Sequence, residues 1–172
     1  VYASGNYAYF AKDANGGTCS TTDKTGCEFQ IYDVSTPSAP TFMGGVDIGN
    51  TAYMITVVGR YAYVSSSNGT GACAISTPTN CGLRIYDISN PKIPNLVGVA
   101  DNAQDGLGSS HFPTYFNSGK YLYVGQVGNA AACSSTSRTG CELQVWDVSN
   151  PASPTYVGGA DVDADGGGAD QI

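Results

Sequence analysis

Charge is scarce in this chain, and positive charge above all. Of 172 residues only 7 are Lys or Arg, against 14 Asp or Glu, and charged residues make up 12% of the whole. That is about half the share of roughly 25% usual in a soluble domain. Nucleic-acid binding needs clustered cations to displace counterions from phosphates, and no such cluster is present, so DNA and RNA are excluded as partners. A net charge of −7 disfavours anionic membrane surfaces for the same reason. No apolar run approaches the ~20 residues that cross a bilayer as a helix, so membrane insertion is not expected. Helix is essentially missing as well, because no stretch sustains a 3.6-residue period between caps. The sequence opens without Met or a charged-then-apolar leader, as a mature or excised segment would, so the compartment has to be read from the cysteines.

What the chain does have is hydrophobic content of 41%, 23 Gly, 12 Tyr and a long internal repeat. Tyr7-Ala-Tyr-Phe10 aligns with Tyr61-Ala-Tyr-Val64 and Tyr121-Leu-Tyr-Val124. Cysteine pairs follow at Cys19/Cys27, Cys73/Cys81 and Cys133/Cys141. Phe29-Gln-Ile-Tyr-Asp33-Val-Ser-Thr-Pro37 then aligns with Leu83-Arg-Ile-Tyr-Asp87-Ile-Ser-Asn-Pro91 and Leu143-Gln-Val-Trp-Asp147-Val-Ser-Asn-Pro151. Second prolines come at Pro40, Pro94 and Pro154, and each copy closes at Asp47, Asp101 or Asp161. Every landmark moves by 54 residues from the first copy to the second and by 60 from the second to the third. The six extra residues lie between Asp101 and Tyr121.

Each copy reads as four antiparallel strands. A short run such as Met54–Val58 turns at Gly59-Arg60 into the Tyr-x-Tyr strand, where alternation puts Tyr61 and Tyr63 on one face and Ala62 and Val64 on the other. A Ser/Thr/Gly-rich loop holding the cysteines leads to Leu83–Ile88. Ser-Asn-Pro-x-x-Pro must then turn, since proline cannot donate to a ladder, and Asn95–Ala100 makes the fourth strand. Repeated four-stranded sheets of ~40–50 residues point to an all-β chain of β-propeller blades. The pattern Tyr-x-Tyr-Val, then Leu-x-Ile-x-Asp-Val-Ser-Asn-Pro-x-x-Pro, then Leu-Val-Gly, resembles the LVIVD-type propeller repeat of secreted and surface-anchored microbial proteins. The resemblance covers nearly the whole chain, and the long cysteine loop is its departure from the usual repeat.

The expected units are approximately 1–53, 54–113 and 114–172, with the last blade completed by the N-terminal strand of the same or another copy. Closed propellers use about four to eight blades. Three blades alone would leave broad apolar faces in water. Three arrangements therefore stand open: an excerpt of a longer propeller, two copies closing a six-bladed ring, or head-to-tail addition into a filament or surface array.

All six cysteines fall in Cys-x7-Cys pairs, one pair per copy. Zinc sites favour spacings of two to four with further Cys or His nearby. Local disulfides Cys19–Cys27, Cys73–Cys81 and Cys133–Cys141 are expected instead, each restricting the unfolded chain by about 2.5 kcal/mol. Such bridges persist in oxidising surroundings, which places the protein outside the cell or on its surface. The Ser/Thr-rich segments between paired cysteines read as solvated hairpin tips or as a rim for O-linked sugar. Asn68-Gly-Thr70 is an N-glycosylation acceptor pattern.

Three further places carry candidate chemistry. Asp161-Val-Asp163-Ala-Asp165-Gly166 sets oxygen ligands at alternate positions before a glycine, which suits calcium. Its twelfth position is Ile172 rather than Glu, and an acidic Gly-rich turn is the plain alternative. Asp33, Asp87 and Asp147 recur before Ser-x-Pro, where a carboxylate bonds the backbone two residues on and fixes the turn. His111, the one histidine, sits in the six-residue insertion. It could serve as a base or metal ligand near a propeller axis, or as a plain loop residue. No Gly-x-Ser-x-Gly elbow accompanies it. The tyrosine pairs, whose recurrence argues against a sugar platform, are expected to pack between blades.

These features predict a non-catalytic extracellular scaffold or interaction module with no cofactor beyond a possible calcium ion. It presents loops to a protein, a polysaccharide or other copies of itself, with self-assembly into an array or filament as one outcome. The alternative is a polysaccharide-acting hydrolase or lyase with an axial site using His111 and a bound cation.

Overall fold

A computed structural model describes residues 1–14, 16–67, 71–101, 114–125, 132–134, 136, 138 and 140–162, with 114–117 described by backbone alone. Among the described residues twelve strands follow in chain order. The first blade holds β1 (Tyr2–Ser4), β2 (Tyr7–Ala11), β3 (Phe29–Asp33) and β4 (Thr41–Val46). The second holds β5 (Ala52–Val58), β6 (Tyr61–Ser66), β7 (Leu83–Asp87) and β8 (Asn95–Ala100). The third holds β9 (Thr114–Ser118), β10 (Tyr121–Gly125), β11 (Leu143–Asp147) and β12 (Thr155–Ala160). Each set forms one antiparallel four-stranded sheet whose spatial order is its chain order. The expected repeat architecture is thus present, and among the described residues the one helical turn is the 3-10 segment Pro78–Asn80.

One expectation is corrected. The N-terminal strand does not complete the last blade: β1 pairs with β2, Ser4 opposite Tyr7 and Tyr2 opposite Tyr9. The physical reason is the two-residue turn between them, with Gly5 at φ 57°, a left-handed conformation suited to glycine. So tight a turn keeps β1 in the sheet of β2. The inner place of the last blade is filled by β9, which pairs with β10 from Thr114–Gly125 to Ser118–Tyr121.

The strand registers repeat, and so does an irregularity. Between the third and fourth strands the ladder shifts at Ile31/Tyr32, Ile85/Tyr86 and Val145/Trp146. A bulge of this kind sharpens strand twist, and here it falls at the same place in each blade.

The blades stack face to face with their first strands β1, β5 and β9 adjacent, the arrangement of blades about an axis. Two apolar cores result. The first joins Tyr9, Phe29 and Ile31 of the first blade to Ile55, Val57, Ala62, Val64, Tyr86 and Ile88 of the second. The second joins Tyr63, Leu83 and Ile85 to Leu122, Val124, Trp146 and Val148 of the third. The tyrosine pairs therefore face the following blade, with Tyr9 and Tyr63 in the cores and Tyr7 and Tyr61 packed at their margins. Ala62 and Val64 face the preceding blade. Glycines allow the closest approach between sheets. A Cβ on Gly44 would lie 2.6 Å from the Pro91 carbonyl oxygen, and one on Gly98 would overlap that of Pro151.

Candidate functional site

The features that repeat with chemistry in them gather at the two ends of the sheets. At one end lie the hairpin loops between second and third strands, each closed by a disulfide: Cys19–Cys27, Cys73–Cys81 and Cys133–Cys141. There are no free cysteines. One sulfur of each bridge belongs to a fully buried residue (Cys27, Cys81, Cys141), two residues before the third strand. The loop tip of the first blade is self-bonded: Ser20 N–H donates to Thr25 O at 2.8 Å and Lys24 N–H to Ser20 O at 2.9 Å. Thr21, Thr22 and Asp23 are exposed.

The segment linking the first two blades, residues 47–51, runs along this same end and is laced to both cysteine loops. Ala52 N–H donates to Lys12 O at 3.1 Å, and Ser67 N–H to Thr51 O at 3.0 Å. The Asn50 amide donates to Ser67 O at 2.7 Å and to Thr79 O at 2.6 Å. Beneath it two buried ionic side chains hold one residue from both sides: Glu28 Oε2 accepts from Ile48 N–H at 2.9 Å, and Arg84 Nη1 donates to Ile48 O at 2.6 Å. Arg84 Nε also donates to Pro78 O at 2.8 Å. Glu142 Oε2 accepts from Val162 N–H at 3.1 Å, the same arrangement in the last blade. These buried Glu and Arg residues were not singled out in the sequence. The signal was there in Cys27-Glu28-Phe-Gln30 and Cys141-Glu142-Leu-Gln144, against Cys81-Gly82-Leu-Arg84.

At the other end the recurring aspartates do what the Ser-x-Pro context demands. Asp33 accepts from Ser35 N–H at 2.8 Å, Asp87 from Ser89 N–H at 2.9 Å and Asp147 from Ser149 N–H at 2.9 Å. These serine hydrogen bonds hold all three carboxyls below the usual carboxylate range. Asp87 also pairs with Arg60 at 3.0 Å and Asp147 with Lys120 at 3.1 Å, and the neighbouring cations add to the lowering. Burial pushes the Tyr86 hydroxyl up to about 12.

Of the remaining sequence candidates, Asp161 lies just beyond β12. His111, Asn68, Asp163 and Asp165 lie outside the described residues. Among the described residues no three His, Cys, Asp or Glu side chains are grouped so as to hold a metal ion.

Tandem four-stranded blades that share cores face to face, with their first strands adjacent, define a β-propeller-type repeat protein. The LVIVD repeat matches residues 25–48, 48–83, 78–102 and 139–162, more than half of the sequence. The chain belongs to the LVIVD repeat family. Three of the matched segments hold the same structure, the third strand, the proline turn and the fourth strand of a blade. No curated protein matches the chain.

Proposed function

We propose that this chain is a non-catalytic extracellular scaffold that displays its disulfide-closed loops to a protein or polysaccharide partner and assembles with other copies of itself. The observation that carries the reading is the use to which the recurring polar groups are put. The aspartates fix turns, the buried glutamates and Arg84 hold the linking segments, and the cysteines close loops. What changes from blade to blade is the exposed loop sequence, Ser20–Thr25 against Ala74–Thr79, and variable loops on a repeated frame are how scaffolds diversify recognition. Three small disulfides in one 172-residue chain favour an oxidising compartment. No helix among the described residues is long and apolar enough to cross a membrane.

The test compares the native chain with His111→Ala and with a triple variant, Asp161→Ala, Asp163→Ala and Asp165→Ala. Both should keep the native melting temperature and particle mass. A polysaccharide turnover present in the native chain and lost in either variant would overturn the non-catalytic reading. Alkylation of protein taken directly from its producing cells should label no cysteine before reduction, and labelled thiols would overturn the extracellular one.

A further inference from the structure

Among the described residues the first and last blades each leave one broad face uncovered, and the two faces are of different kinds. On the first blade it is the side that in later blades meets the preceding neighbour. There Phe10, Tyr32 and Phe42 form an edge-to-face ladder with ring centroids 5.3 and 5.5 Å apart, and Phe10 is 40% exposed. The equivalent residues Val64 and Val124 are fully buried, and Tyr86 and Trp146 nearly so. On the last blade it is the tyrosine side, which in earlier blades meets the following neighbour. Phe29 and Ile31, like Leu83 and Ile85, are fully buried. Their counterparts Leu143 and Val145 are only half-buried, and Val157 is 56% exposed.

Two details show that the last blade is shaped for a neighbour that the described residues do not supply. Ile48, held by Glu28, is 3% exposed under the second blade, whereas Val162, held the same way by Glu142, is 56% exposed. Gly44 and Gly98 have to be glycine because the proline turn of the following blade presses on them. Gly158 occupies the same place in β12, and a Cβ built there meets nothing within 4 Å.

We propose that a second copy of this chain covers this face, head to tail: the Phe10–Tyr32–Phe42 face of one copy packs on the Leu143–Val145–Val157 face of the other, with the Pro37 turn seated on Gly158. The contact rests on the self-assembling scaffold proposed above and supplies its interface. A second copy is the occupant because the two open faces are the two kinds that already meet at both internal junctions. Such a contact is heterologous, so it either closes or propagates. Closed propellers hold about four to eight blades, and two copies of the three described blades make six.

The test is the mass of the oxidised chain by light scattering across a concentration series, with far-UV circular dichroism as the folding control. The native chain should run at twice 17.7 kDa or as longer head-to-tail particles. Gly158→Val should keep the native spectrum, since a Cβ there meets nothing within 4 Å among the described residues, and should run as a monomer. Phe10→Asp, on the opposite face, should also be monomeric. Mixed in equal amounts, the two variants should regain a dimer, because each retains the face that the other has lost. A native chain that stays monomeric at every concentration overturns the contact, as does a dimer that neither substitution dissolves. A monomer that still binds a protein or polysaccharide removes this interface and the self-assembly with it, and leaves the loop-displaying scaffold standing. A lost turnover or labelled thiols remove that reading without bearing on particle mass.

Discussion

Between the first and second blades a buried arginine ties down the linking segment; between the second and third an arginine acts nearer the surface. Arg84 is fully buried and donates to Ile48 O and Pro78 O. Arg138 reaches Asp101 at 3.7 Å with the two side chains 20% and 40% exposed. It lies over the rings of Trp146 and Tyr156, at 5.7 and 5.9 Å. The linking segments differ to match. From Asp47 to Tyr61 the chain is six residues shorter than from Asp101 to Tyr121, and Gly82 stands in the second blade where Glu28 stands in the first. A short link must cross close above the core, where its backbone groups lose water and need protein partners. Glu28 and Arg84 supply both, a donor for Ile48 O and an acceptor for its N–H. The apolar packing repeats from junction to junction, while the polar chemistry follows the link.

Substitution of Arg84 should therefore have the largest effect. Arg84→Met keeps much of the volume but takes the donors from two carbonyls. At about 1–3 kcal/mol for each orphaned group, the loss should be roughly 3 kcal/mol in urea unfolding. A loss under about 1 kcal/mol would mean water replaces the guanidinium and the junctions are alike after all. Next come the disulfides. All three close loops of equal length, with a sequence separation of 8, so Cys19→Ala with Cys27→Ala should cost about 2.5 kcal/mol. The paired changes at Cys73/Cys81 and at Cys133/Cys141 should cost the same. Unequal losses would show that the loops, and not only the links, differ between blades.

Much of this was legible in the residues. Repetition exposed the strands, the cysteine pairing and the aspartate turns, because a spacing met three times leaves few alternatives. The polar interior was hidden for a physical reason. Gln30, Arg84 and Gln144 occupy alternating strand positions, where a polar residue ordinarily signals a solvated face. Arg84 and Gln144 lie on faces that the preceding blade covers, and Gln30 is tied down locally by Cys27 O and the Tyr32 hydroxyl, so all three are buried. The bulge after Ile31, Ile85 and Val145 was equally silent, since all three copies share it and comparing them shows no insertion. Gly44, Gly98 and Gly158 read as ordinary strand glycines until the neighbouring proline turn is seen against the first two. The placement of β1 is not legible from the repeat alone, because Ser4-Gly5-Asn6-Tyr7 could as well follow a strand of another blade until its own pairing across the turn is seen.

A smaller effect is expected at the second junction. Arg138→Met should cost about 1 kcal/mol, the sum of a partly exposed ion pair, discounted for screening, and a weak cation–π contact. A loss equal to that of Arg84→Met would remove the distinction between the junctions.

The smallest effect is that of pH, and it should be shared among the blades with one difference. Asp33, Asp87 and Asp147 have folded-state pKa values held down by the hydrogen bonds of Ser35, Ser89 and Ser149. A carboxyl depressed in the folded state contributes stability above its unfolded value of about 3.9 and loses it as pH falls through the folded value. Stability in urea should thus hold from neutrality to about pH 5 and decline below about pH 4. Replacing all three aspartates with Asn preserves an acceptor for each turn and should flatten that acid limb. An unchanged limb would show that other carboxyls carry it. Asp87 and Asp147 face Arg60 and Lys120, whereas the position equivalent to Arg60 in the first blade is Asn6. Exposed ion pairs are screened by salt and local hydrogen bonds are not, so strong salt should shrink the share of the acid limb removed by Asp87→Asn and Asp147→Asn. The share removed by Asp33→Asn should stay as it was.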